Sequence, residues 1–136
     1  MQNRVDTPAS SLWLASYQGD RATLGRLIAD GVDVNVWDQH GRSALSFAAS
    51  AGQLEIAKDL LAAGAWVDPH EDYDTYMSPL AEAAARGDDA MVALLLEHGA
   101  DPTLHVGIGQ RTAARYAALF PELEQMLRRA ENEKRA

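Results

Sequence analysis

Residues 38–65 read DQHGRSALSFAASAGQLEIAKDLLAAGA, and this stretch decides the fold. Ser43 and Ala44 open a short helix whose small residues, Ala48, Ala49 and Ala51, permit close stacking on neighbours. Gly52 supplies a permissive backbone for a turn. From residue 54 to 63 the apolar side chains Leu54, Ile56, Ala57, Leu60 and Leu61 follow the i, i+3/i+4 pattern of a second helix. Gly64 then stands where a left-handed cap residue belongs. The unit is a helical hairpin preceded by an extended, turn-rich segment at 34–42.

The same unit recurs on both sides. Gly19, Gly52 and Gly87 are separated by 33 and 35 residues, and so are Gly31, Gly64 and Gly99. Leu12, Leu45 and Leu80 keep those two intervals, as do Ala15, Ala48 and Ala83. Four ladders that share one period and one two-residue insertion indicate an internal repeat, whose units cannot bury their apolar faces singly and must stack. In the third unit, Ser78-Pro79 puts proline at a first helical turn. The segments 34–42 and 66–77 are expected to project as hairpin-like fingers.

These residues resemble the ankyrin repeat family. The carriers are Asp38 to Leu45, then Ala48 to Ile56, then Leu60 to Ala65, and in the next unit Ser78-Pro79-Leu80, Ala83-Ala84, Gly87, Leu94-Leu95-Leu96 and Gly99-Ala100-Asp101. The resemblance covers about residues 10 to 130 and implies an all-α solenoid of about four helix-turn-helix units, with N- and C-terminal capping repeats. The approximate repeats are 10–37, 38–70, 71–104 and 105–130, followed by a charged, solvated tail at 131–136, all in one domain. Pro121 takes the place of the turn glycine in the last unit. The family's bracing histidine is missing, its equivalents being Trp13, Ser46, Ala81 and Arg115, so that network must be weaker or replaced by packing. A small stand-alone protein of this kind is similar to bacterial immunity proteins or adaptors.

Composition narrows the function classes. The 136 residues are ordinary for a globular chain, 47% hydrophobic and 24% charged, and there is no cysteine to form a disulfide or a thiolate site. Twelve Lys and Arg against twenty Asp and Glu give a net charge of −8, which argues against a nucleic-acid binder. The charge is uneven: residues 1–105 carry 16 acidic and 6 basic side chains, residues 106–136 carry 4 and 6. An acidic body gains association rate and specificity toward a basic partner, although the same charge also serves solubility. No segment has the apolar length of a signal peptide or a membrane span, so a cytoplasmic chain without a membrane partner is expected.

By resemblance, the partner contacts fall on the fingers and the exposed faces of the first helices. On the first finger these are Trp37, Gln39, His40 and Arg42; on the second, Trp66, His70, Glu71, Asp72, Tyr73, Asp74, Tyr76 and Met77; on the helices, Tyr17, Ser50, Glu82 and Arg86. Leu14 and Phe47 lie on the same helices and read first as core. The second finger, WVDPHEDYDTY, combines four acidic side chains with three aromatics, the mixture of anchors and polar surround found at hot spots; alternatively its acids solvate a loop while Trp66 packs on its own repeat.

Catalytic signatures are missing: there is no Gly-x-Ser-x-Gly elbow, glycine-rich phosphate loop or His-Glu-x-x-His helix. Gly107-Ile108-Gly109 lacks the later glycine and preceding strand of a dinucleotide site. Asp68, His70, Asp72 and Asp74 alternate like part of a calcium loop but lack its turn glycine and terminal Glu. The expected protein is a non-catalytic, cofactor-free protein-interaction module, monomeric when unbound. It would be an inhibitor that neutralises a basic toxin enzyme or, alternatively, a scaffold or adaptor. A metal or small-ligand sensor, or an enzyme, is the remaining class.

Overall fold

A computed structural model describes residues 7–68 and 77–136. Its described residues form helices α1 (Pro8–Gln18), α2 (Arg21–Ala29), α3 (Ala44–Ala51), α4 (Leu54–Ala62), α5 (Pro79–Arg86), α6 (Asp89–Glu97), α7 (Ala113–Tyr116) and α8 (Pro121–Arg135). Local chemistry sets their ends. Thr7, Ser43 and Ser78 accept hydrogen bonds from the N–H three residues on, and Pro8 and Pro79 sit where the missing N–H costs nothing. The turn glycines 19, 52 and 87 all take left-handed backbone. The paired-helix architecture expected from the repeats is therefore present, without a sheet among the described residues.

The first helices, α1, α3, α5 and α7, stack in one row, and α2, α4 and α6 pack in a second. Alanine permits this: Ala48, Ala49, Ala83, Ala84 and Ala114 are completely buried between helices. Leu12, Leu45 and Leu80, one ladder of the repeat, are buried beside them, and a single apolar cluster continues through Leu123 and Leu127 of α8. At about 25 cal/mol per Å² of buried apolar surface, each such leucine contributes roughly 1.5–3 kcal/mol.

Each turn glycine is roofed by a side chain from the next unit. Gln53 lies over Gly19, Arg86 over Gly52, and the Phe120 ring over Gly87. A Cβ on Gly87 would come within 2.5 Å of that ring; glycine is thus required there both for its φ of 74° and for space. A second ladder joins the bases of successive fingers. The Asn35 amide accepts from Trp66 N–H at 2.7 Å and donates to Gly64 O at 3.1 Å. Asp68, 33 residues later, accepts from Asp101 N–H at 3.0 Å.

The first finger and a third one, at 101–111, are tight turns each closed by a single antiparallel bridge, Trp37 with Ser43 and Val106 with Arg111. The last unit has the shortest first helix and the longest second helix. Pro121 begins α8 in the place of a turn glycine. Residues 131–135, expected as a solvated helix end, continue α8 through Arg135; 132–136 are exposed, while Glu131 is buried.

Candidate protein-binding groove

Ser10, Trp13, Leu14 and Tyr17 fall at i, i+3, i+4 and i+7 of α1 and so share one face of it. That face forms one wall of an open groove of about 690 Å³, with Asp38, Gln39, His40 and Arg42 of the first finger and Phe47 of α3 opposite. Leu14 is 56% exposed and Tyr17 53%, more than burial in a helix stack would leave them.

Phe47 organises the apolar half. The rings of Trp13 and Tyr17 each lie 6.4 Å from it, the tyrosine edge-on, a favoured aromatic arrangement. The Arg42 guanidinium stacks 4.7 Å above the Phe47 ring. Trp13 also donates its indole N–H to Val36 O at 3.0 Å, linking α1 to the chain entering the finger. It occupies one of the positions where the bracing histidine is missing, so one bracing hydrogen bond survives with a different donor. Trp13→Phe keeps a six-membered aromatic ring but deletes that bond and the packing of the pyrrole half of the indole; a stability loss of at least about 1 kcal/mol is expected, read as a lower denaturation midpoint with an unchanged m-value.

The polar half is built by Asp38. Its carboxylate accepts from the N–H groups of His40 and Arg42, each at 2.9 Å, and from Arg42 Nε at 2.9 Å. Arg42 Nη2 completes the ion pair at 2.9 Å. Burial opposes the charge on Asp38, but these donors outweigh it and hold the carboxyl below its ordinary range. The turn therefore displays Gln39 and His40 from a fixed backbone.

The remaining candidates are distributed differently. Trp37 and Trp66 pair across adjacent fingers, ring centroids 6.5 Å apart. Glu82 on α5 is half-buried; burial pushes its carboxyl up, against the lowering effect of the Arg42 charge, so the surface continues from the groove toward α5. Ser50 bonds Phe47 O through its hydroxyl at 3.0 Å, while its own carbonyl accepts from Arg86 Nη1 at 3.4 Å. Ser50 and Arg86 thus brace neighbouring units. The Met77 sulfur lies against Gly107 of the third finger. His70, Glu71, Asp72, Tyr73, Asp74 and Tyr76 lie outside the described residues. Sequence reading missed Ser10, Trp13 and Asp38, and placed Leu14 and Phe47 in the core first.

A family model for three copies of the ankyrin repeat matches residues 12–106. The chain belongs to the ankyrin-repeat family. It is 40% identical over 93 residues to the E3 ubiquitin-protein ligase KEG of Arabidopsis thaliana, covering 64% of this chain and 6% of that protein. It is 41% identical over 83 residues to the palmitoyltransferase ZDHHC13 of Mus musculus, covering 61% and 13%. A putative ankyrin repeat-containing protein of Treponema pallidum is 41% identical over 80 residues, covering 59% and 26%. The chain thus spans only a minor part of each of these relatives. Ankyrin repeats are non-catalytic modules that bind other proteins. No described helix of this ankyrin chain is long and apolar enough to cross a membrane, and no three described His, Asp or Glu side chains gather as a metal site.

Proposed function

We propose that this ankyrin protein captures a protein partner in the groove between α1, the first finger and α3, and inhibits it by covering a basic surface. The observation that carries the reading is the exposed Leu14–Tyr17 face beside a finger locked by Asp38. Such a groove offers a partner apolar anchors and a pre-formed polar rim together, and pre-organisation reduces the entropy cost of binding. The excess of acidic over basic side chains in residues 1–105, 16 against 6, favours a basic partner. Trp37, Trp66 and Glu82, with the second-finger residues 70–76, extend the proposed contact surface across the single domain.

Co-purification from native lysate tests this reading. The wild-type chain is expected to return a stoichiometric protein, and Leu14→Asp with Tyr17→Ala to lower its affinity by about tenfold or more without moving Tm. Undiminished capture by that variant would remove the groove from the proposal. A second reading, a scaffold or adaptor, is favoured by one observation: the relatives above are longer proteins in which the matching repeats are a small portion. An inhibitor abolishes the partner's activity on binding, whereas an adaptor leaves it intact and recruits a third component.

A further inference from the structure

At the opposite end of the repeat stack, the third finger, α7 and α8 enclose a second cleft of about 440 Å³. Its charge is the reverse of the rest of the chain. Arg111 and Arg115 line it from the finger and α7, and Arg128 and Arg135 from α8. Arg128 is neutralised by Glu124, 2.6 Å away. Arg111 and Arg115 have no carboxylate partner among the described residues.

Glu131 lies among these cations and is only 6% exposed. Its Oε2 is 4.0 Å from Arg135 Nη1, too long for a hydrogen bond, and its buried Oε1 has no hydrogen-bond partner among the described residues. Buried polar atoms are almost always satisfied, so an orphaned carboxylate oxygen marks a place for a donor from a water or a bound group. Thr112 also lines the cleft, and its hydroxyl makes no capping bond, unlike Ser43 and Ser78 in the equivalent positions.

We propose that this cleft is a binding site for a small phosphate that carries a proton. The donors are the guanidiniums of Arg111, Arg115 and Arg135 and the Thr112 hydroxyl, all of which can serve phosphate oxygens; Arg forks suit that geometry. A plain dianion would leave Glu131 unsatisfied and repel it. Monohydrogen phosphate brings one O–H, and donating it to the Glu131 carboxylate turns a repulsive contact into a charge-assisted hydrogen bond. Sulfate has no such proton at neutral pH. Glu131 therefore selects between two anions of nearly the same size and shape. The site is separate from the groove by α1, and its occupation is independent of partner capture.

The test is calorimetric titration of the full chain at pH 7 and low salt with inorganic phosphate, a small alkyl phosphomonoester and sulfate. Phosphate is expected to bind about tenfold or more tightly than sulfate, and the ester, mostly a dianion without a proton at pH 7, more weakly than phosphate but more tightly as the pH is lowered to about 6. Arg115→Gln, at an exposed position, should weaken phosphate binding by about tenfold. Glu131→Gln supplies an N–H donor in place of the bare carboxylate, so sulfate binding should rise and the preference for phosphate vanish. Equal binding of phosphate and sulfate to the wild-type chain would overturn the proposal before any variant is made. So would a preference that survives Glu131→Gln in a folded protein, or binding confined to phosphate displayed on a peptide or a lipid vesicle.

Discussion

Asp38→Ala is expected to destabilise the chain by about 2–3 kcal/mol and to abolish partner capture. The carboxylate receives two backbone N–H groups and the Arg42 side chain within a turn of five residues, and hydrogen bonds to charged groups are worth about 1.5–3 kcal/mol where the partners are then left unsatisfied. Alanine would also release Arg42 from the ion pair and loosen its stacking on Phe47, so both halves of the groove lose their geometry at once. Asp38→Asn keeps an acceptor for the N–H groups but loses the charge, and about 1 kcal/mol is expected. The pH dependence has a definite sign. Because the folded carboxyl is held below its ordinary value, its stabilisation is complete above about pH 4 and disappears as the pH falls through the depressed value. As the pH falls from about 4 through the depressed value, wild type should therefore approach the stability of Asp38→Asn and its margin over Asp38→Ala should narrow, leaving the share that the neutral carboxyl's hydrogen bonds still supply. A Tm for Asp38→Ala equal to wild type at neutral pH would show that the turn does not depend on this side chain.

The repeat was legible because glycine and alanine leave a spacing that few other arrangements produce. Gly19, Gly52 and Gly87 each need left-handed backbone beneath a side chain from the next unit, so their period had to match the stacking period. The groove was less legible. Leu14 is apolar and lies two residues from the fully buried Leu12, and helical periodicity identifies a face without saying which faces the neighbouring unit covers. Asp38 looked like one more solvated finger residue, since a turn closed by a carboxylate depends on backbone directions that composition does not carry. Arg86 is the converse case: its charge suggested a contact, while stacking gives it Gly52 and Ser50 O to cover. Glu131 was read as part of a solvated tail, and only the tertiary setting of α8, packed on α7 beside the cleft, buries it.

Asp68→Asn is expected to stabilise the protein, which is unusual for a change at a hydrogen-bonded residue. Burial raises the Asp68 carboxyl to about 6; the Asp101 N–H bond and the charge of Lys134 pull it down, and the Asp101 carboxylate pushes it up. A folded value above the ordinary 3.8 means that the native state holds the proton more tightly than the unfolded chain. Stability contributed by this proton is therefore full below about pH 4 and is lost as pH rises toward 6. A shift of this size corresponds to about 3 kcal/mol at full weight, and partial exposure reduces it to about 1–2 kcal/mol. Asparagine carries no charge to desolvate, and the preceding rung shows what its amide can do: Asn35 accepts from Trp66 N–H and donates to Gly64 O. At position 68 the corresponding donor would serve Gly99 O, a bond the ionised aspartate cannot make. Thermal unfolding should show Asp68→Asn more stable than wild type by about 1–2 kcal/mol at pH 7.5, with the difference shrinking toward pH 4 as Asp68 acquires its own proton. A difference independent of pH, or a less stable variant at pH 7.5, would mean that the carboxylate at this junction is not the strained rung of the ladder.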